Sequence, residues 1–236
     1  MNDHNTPTLQ NMVIQKFKLA KNRESAHKLA EEALEVVGLR PHEILGKYPH
    51  ELSGGQRIMV ARVFLLKPRL IVADEPVSMS DASLQMRILD IFRNLKEEYG
   101  ISFLYITHDL TTAYQISDNI YILYRGSVAE MGSVEQVIKN PQHPYTRLLV
   151  SSIPLPDPDH HWGGEGELER KAAATKSAGK PLHGCKFANR CPFAMTECHE
   201  KPPPLYQTNA DRAVACYLYK DAKTVSGQAM AEFMAG

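Results

Sequence analysis

The 236-residue sequence has no excess of either charge, since 27 Lys and Arg stand against 27 Asp and Glu. Such a chain has no global field with which to displace counterions from phosphates. General nucleic-acid binding is therefore excluded, and only a local basic patch would serve it. Nor is there an apolar run near the about 18 residues that a membrane-spanning helix needs. The longest, Val60 to Leu66, is short and carries Arg62. The opening residues Met1-Asn2-Asp3-His4-Asn5-Thr6 hold no apolar signal core, so secretion is not expected. Cysteine is missing from the first 184 residues and then occurs at Cys185, Cys191, Cys198 and Cys216. In a reducing compartment that pattern favours a metal site or plain packing over a disulfide framework. What is present, 43% hydrophobic and 23% charged residues, excludes intrinsic disorder. The length fits one large domain, or a medium one plus a small one.

Periodicity organises the chain into an α/β pattern. Leu29, Ala33 and Val36/Val37 recur at helical spacing over residues 25 to 37, and Gly38 suits the helix end. A second helix is expected from Ser53, a good N-cap, to Leu66, ended by Pro68. Leu70-Ile71-Val72-Ala73 is a continuous apolar run stopped by Asp74-Glu75-Pro76, which reads as a parallel strand buried on both faces. An amphipathic helix follows, with Leu84, Ile88, Ile91, Phe92 and Leu95 on one face and Gly100 behind it. Ile101 to Thr107 reads as a second buried strand. Asn119 to Tyr124 and Ser127 to Met131 read as two more, joined at Arg125-Gly126. Strands alternating with helices predict a layered α/β domain. Residues 154 to 184 have no period and read as a linker.

Three stretches carry chemistry. Leu52-Ser53-Gly54-Gly55-Gln56 opens a helix with uncovered backbone N–H groups beside a hydroxyl, an arrangement suited to phosphate. Taken alone, Ser-Gly-Gly reads equally well as an ordinary cap. The apolar strand ends in Asp74-Glu75, at the edge where α/β sheets bind ligands. An Asp there suits Mg²⁺, and a neighbouring Glu can position or deprotonate a water. The alternative is a simple turn at Asp-Glu-Pro. Thr107-His108-Asp109 closes the next strand at that same edge.

In their order and spacing these stretches resemble an ATP-binding-cassette (ABC) ATPase. Leu52 to Gln56 is similar to the family signature, Leu70 to Glu75 to the Walker B strand with its catalytic glutamate, and His108 to the switch histidine. Ser78-Met79-Ser80-Asp81 stands where the family has its D-loop. Tyr48-Pro49-His50-Glu51-Leu52, Pro141-Gln142-His143-Pro144-Tyr145-Thr146 and the cysteine region resemble the oligopeptide/dipeptide/nickel importers. The resemblance implies a partial P-loop NTPase-like core, a parallel sheet flanked by helices with a helical subdomain, over residues 1–153. A linker at 154–184, a cysteine-rich extension at 185–220 and a tail at 221–236 would follow. It further implies ATP and Mg²⁺ as cofactors, with Glu75 as general base, Asp74 on Mg²⁺ and His108 at the γ-phosphate. Ser53, Gly54, Gly55, Gln56 and Asp81 would meet nucleotide. The implied partners are a second ABC ATPase subunit, integral membrane permease subunits and, indirectly, a substrate-binding protein. The expected place is cytoplasmic, peripheral on the inner face of the plasma membrane.

The family's phosphate loop, Gly-x-x-x-x-Gly-Lys-Ser/Thr, has no match here. Gly46-Lys47 is followed by Tyr48, and Gly179-Lys180 by Pro181. The glutamine loop is not recognisable either, so the chain is expected to be the later part of a subunit. Relatives usually carry Gln-Arg between Arg57 and Ile58. Losing two residues turns a helix by about 200° at about 3.6 residues per turn. A non-catalytic fragment that lends its signature face, or docks on a partner, is the competing expectation. A soluble ABC ATPase acting on DNA or ribosomes fits less well, because no coiled-coil insertion or duplicated cassette is present.

The cysteines are spaced Cys-x5-Cys-x6-Cys-x17-Cys. Structural zinc prefers tighter knuckles. Four thiolates on longer loops suit an iron–sulfur cluster, so Cys185, Cys191, Cys198 and Cys216 are expected to hold a [4Fe–4S] cluster, with Zn²⁺ as the alternative. Such a group would pin a segment too small to fold on apolar burial.

Overall fold

The computed structural model describes residues 19–45, 55–78, 81–153 and 183–225. Two compact units divide the chain, one within residues 1–108 and the other within 109–236.

In the first unit, Asn22 accepts the Ser25 N–H at 2.8 Å and starts helix α1, Arg23–Val36. A short helix α2, Pro41–Ile44, and helix α3, Gly55–Phe64, follow. Ala26, Ala30, Ala33 and Leu34 of α1 pack in one core with Ala61 and Leu65. Strand β1, Leu70–Asp74, leads into helix α4, Ala82–Tyr99, which is capped by Asp81 and ends at Gly100 in the left-handed region. Ile91 and Leu95 of α4 join the same core. Strand β2, Ser102–Ile106, pairs parallel with β1, setting Val72 opposite Leu104 and Asp74 opposite Ile106.

The expectation that β1 is buried on both faces fails. Ile71 and Ala73 point inward, but Leu70 is 56% exposed, Val72 59%, Leu104 50% and Ile106 45%. These four share one side of the two-stranded ladder. A parallel sheet ordinarily has both faces covered. The continuous apolar run in the sequence records a face that these helices leave open.

The second unit opens with helix α5, Leu110–Ile116, and the hairpin of β3, Asn119–Tyr124, and β4, Ser127–Ser133. Helices α6, Val134–Lys139, and α7, Pro144–Ser151, follow. His143 caps α7 through its ring and Pro144 fills the first turn, a local reason for the Gln-His-Pro sequence. After a 3₁₀ turn at Ala188–Arg190 come α8, Thr196–Glu200, and strands β5, Tyr206–Asn209, β6, Arg212–Val214, and β7, Lys223–Thr224. They extend the hairpin into one sheet ordered β3-β4-β6-β5-β7. A segment with little core of its own thus borrows one by strand addition. At Gly132 in β4, φ is +154° and an added Cβ would lie 2.7 Å from the Asp211 carbonyl oxygen. Only glycine lets the two segments approach so closely.

Glu130 and Arg212 fasten this junction. Both are buried, at 0% and 1% exposure. The Arg212 Nε donates to Glu130 Oε1 at 3.0 Å and a terminal guanidinium N–H donates to the same oxygen. The carboxylate also accepts the N–H groups of Gln142, at 3.1 Å, and His143, at 2.9 Å. Arg212 donates further to the Asn140 carbonyl. Removing one partner strands a buried charge, which costs about 3–5 kcal/mol. Chemical denaturation should therefore show Glu130→Ala losing that much stability, with Arg212→Ala similar.

His143 lies beside Phe187, with ring centroids 6.0 Å apart. Burial, with Arg147 nearby, pushes its imidazole down to about 4. Its Nδ1 accepts the Tyr145 N–H at 3.0 Å, so the proton of the neutral ring sits on Nε2. The unfolded chain takes up a proton near pH 6.5 and the folded one only near pH 4. The stabilisation is complete above pH about 6.5 and is lost as pH falls toward about 4, by at most roughly 3 kcal/mol. Thermal unfolding between pH 4 and 7 should show this slope in the native protein and a flatter one in His143→Phe.

Candidate functional site

The β1–β2 ladder runs one bond past the strands, because the Glu75 N–H donates to the Ile106 carbonyl at 2.8 Å. At that point Glu75 turns into the left-handed region, with φ +45°, which L residues rarely occupy. Its carbonyl is held from the other side by Ser78, whose N–H and hydroxyl donate at 3.2 Å and 2.9 Å. The turn stops the strand and sends the Glu75 side chain toward His108, two residues past β2. His108 Nδ1 lies 2.6 Å from Glu75 Oε1, although 33 positions separate them. Asp74, the last residue of β1, is exposed beside this pair in sequence and in register opposite Ile106.

The pair is open to water, His108 at 79% and Glu75 at 40% side-chain exposure. An exposed ion pair contributes about 0–1 kcal/mol. The fold therefore gains little from the contact, and what it provides is placement of a carboxylate and an imidazole at one sheet edge.

Asp81 is tied to its own helix. Its carboxylate accepts the Ser83 hydroxyl at 2.6 Å and the Leu84 N–H at 2.8 Å. Those bonds, the Ser83 one first, hold its pKa below the usual value. Gln85 steadies the preceding turn by donating to the Val77 carbonyl at 3.2 Å. Ser53 and Gly54 lie outside the described residues. Gly55 and Gln56 are the first two residues of α3.

In the second unit all four free cysteines line one small pocket together with His143, Phe187, Phe193, Met195 and Pro203. The Cys185 N–H donates to the Cys198 carbonyl at 2.7 Å. Gly184 makes that approach feasible, since an added Cβ there would meet the Cys198 oxygen at 2.2 Å. Burial raises the thiol pKa of Cys185, and lifts those of Cys191 and Cys216 to about 11. Among the described residues no group of three or more His, Cys, Asp or Glu side chains stands close enough to hold a metal ion. The thiols share a cavity without being drawn onto one centre.

Residues 2–78 match the ABC transporter family model, and residues 129–198 match the oligopeptide/dipeptide transporter C-terminal region. The chain belongs to this family of ABC transporter ATP-binding proteins. YkfD of Bacillus subtilis (strain 168) is 40% identical over 215 residues, covering 86% of this chain and 63% of that protein. The oligopeptide transport ATP-binding protein OppF of Escherichia coli (strain K12) is 39% identical over 202 residues, covering 83% and 58%. The chain thus spans about three-fifths of the length of these relatives. Among solved structures, MJ1267, an ATP-binding cassette of an ABC transporter in its ADP conformation, has a TM-score of 0.51 at 23% identity. The match covers 61% of this chain and 63% of that one. CbiO1 from Clostridium perfringens, part of the ABC transporter complex cbiONQ, has a TM-score of 0.50 at 23% identity, covering 61% and 57%. At such identities the likeness shows the ABC ATPase fold.

Sequence reading missed Ser78 as the residue that braces Glu75, and Phe187 as the aromatic wall of the cysteine pocket. Ser78 lies in the D-loop stretch but its bracing of a residue three positions back is not written in that motif, whereas Phe187 belongs to no motif and acts through contacts with distant residues. Because the Glu75–His108 pair is exposed, Glu75→Gln should move the midpoint of chemical unfolding by no more than about 1 kcal/mol. A loss of several kcal/mol would show that the pair is structural.

Proposed function

We propose that the chain serves as the ATP-binding and hydrolysing subunit of an importer for oligopeptides or dipeptides. It works in the cytoplasm against the inner face of the plasma membrane, with a second ATPase subunit and integral membrane permease subunits. A substrate-binding protein delivers cargo to the assembly. The printed name of OppF supports the cargo class. No described helix is long and apolar enough to cross a membrane, so the membrane-spanning part belongs to other subunits in this reading.

The observation that carries the reading is the 2.6 Å contact of Glu75 and His108 at the carboxyl end of two parallel strands. Water attacks the γ-phosphorus there as the bond to the bridging oxygen breaks. The Glu75 carboxylate takes the proton of the attacking water. The His108 ring, held by Glu75 at Nδ1, presents its other nitrogen to the γ-phosphate. Asp74, with hard oxygen donors at the strand end, would hold Mg²⁺, which when bound neutralises phosphate charge. Asp81 fixes the start of α4, and Ser53, Gly54, Gly55 and Gln56 are assigned by their sequence pattern to the nucleotide held by the partner subunit. In the assembled transporter, Glu75→Gln should lower ATP hydrolysis by about 10²–10⁴-fold while ATP binding persists. Hydrolysis within tenfold of the native rate would remove Glu75 as the base.

A second reading is favoured by the open face of β1 and β2 and the lack of a phosphate-loop motif. The chain then lends only its signature face to a partner, or docks on one, without hydrolysing ATP itself. Calorimetry on the isolated chain separates the two. Micromolar Mg-ATP binding abolished by Asp74→Asn would end the second reading.

The cysteine pocket completes the proposal. By donor type the four thiols suit a [4Fe–4S] cluster, with Zn²⁺ as the alternative, but their side chains are not gathered onto one centre in this structure, so such a group would have to draw them together. The cluster would pin β5–β7 to the hairpin. Protein purified anaerobically should absorb broadly near 400 nm and carry about four irons per chain. A colourless protein with one zinc would replace the cluster.

A further inference from the structure

His143 lines two adjoining cavities in the second unit. The one it shares with all four cysteines leaves about 10 Å³, room for no more than one water. The other measures about 120 Å³. An apolar cavity only a little larger, about 150 Å³, takes up benzene, so a small organic body fits here. Its walls are apolar at Tyr124, Val128, Phe187, Pro202, Pro203 and Ala215. Its strongest polar groups are donors. His143 is 3% exposed, and its Nδ1 accepts the Tyr145 N–H, which leaves the proton on Nε2. Among the described residues that Nε2–H has no acceptor. A buried donor without an acceptor is unfavourable, and in native proteins such a group ordinarily meets a water or a ligand. Lys186 lines the same cavity and uses one of its three N–H groups on the Arg125 carbonyl at 2.7 Å. The Arg125 guanidinium lies over Tyr124, 5.5 Å from the ring centroid, and brings a second positive charge to that wall. No Asp or Glu lines the cavity among the described residues.

We propose that this cavity binds a small apolar monocarboxylate, a branched-chain or aromatic acid. Its carboxylate answers the Nε2–H of His143 and the Lys186 ammonium, and its hydrocarbon body lies against Phe187, Tyr124 and the two prolines. Charge-assisted hydrogen bonds are about twice as strong as neutral ones, so an acid uses these donors better than an amide does. A cation meets two like charges and no carboxylate. A zwitterionic amino acid finds no partner for its ammonium. The bound acid touches the β3–β4 hairpin at Tyr124 and Val128, the cap of α7 at His143 and the cysteine segment at Phe187. It therefore ties three separate stretches of the chain together. The site stands whether or not the chain hydrolyses ATP or carries a metal.

The test titrates the reduced full chain with isocaproate and with phenylacetate, read by ligand-observed NMR. Acids of this size should bind with a Kd of about 1 mM or tighter. Isocaproamide should bind at least about tenfold more weakly, and isoamylamine should not compete. Lys186→Met, which keeps the stem and removes the charge, should weaken the acid at least about fivefold. His143→Phe keeps a ring without the Nε2–H and should weaken it by a similar factor. Ser127→Trp, which fills the cavity from the hairpin, should abolish binding. Circular dichroism checks each fold, and any one folded variant is enough to decide. No binding at about 10 mM acid would overturn the site. Equal affinity for acid, amide and amine would do the same, as would unchanged affinity in a folded variant. N-acetyl-Gly-Gly-Leu presents a similar branched body at a chain end and should bind no better than isocaproate. Tighter binding of that peptide would overturn the small-molecule assignment in favour of a peptide terminus.

Discussion

The backbone bond from the Glu75 N–H to the Ile106 carbonyl is the last rung of the β1–β2 ladder, and the proposed chemistry hangs on it. It fixes the register that puts Asp74 opposite Ile106, so that Glu75, one residue past β1, and His108, two residues past β2, reach the same edge. A slip of one position would send every side chain of β1 to the other face. The left-handed turn at Glu75 and the bracing by Ser78 then aim a carboxylate at an imidazole 33 residues away. Little stability is gained at that spot, where the pair stays open to water.

The second unit depends on a different constraint. Glu130 and Arg212 are 82 residues apart and meet with almost no exposure, on adjacent strands of one sheet. Around them, Gln136 donates to Asp211 at 2.9 Å and Thr208 to Gln142 at 2.6 Å. Phe187 inserts among Tyr124, Tyr145 and His143. The cysteine segment is thereby built into the hairpin.

The two units contrast in how their apolar surface is covered. In the second, strand addition closes the sheet edge at β4. In the first, Val72 and Leu104 lie side by side and exposed on a parallel ladder. Such a face is satisfied by further polypeptide.

By itself the sequence determined the local elements and the residues of the candidate site. Helical spacing and Gly100 located α4, the apolar run with Asp74-Glu75 located β1 and its ligand edge, and Arg125-Gly126 located the hairpin. Each is written in neighbouring residues, within the reach of backbone preference and side-chain period. The short helices after His108 and the strands among the prolines escaped, because their periods are too brief to stand out. Only the tertiary structure decided that β1 is covered on one face, that Glu75 touches His108, and that Glu130 is held by Arg212. It alone also decided that the four thiols share one cavity. Those facts are pairings between segments tens of residues apart, set by strand register and by which face finds a partner, and no local pattern encodes them.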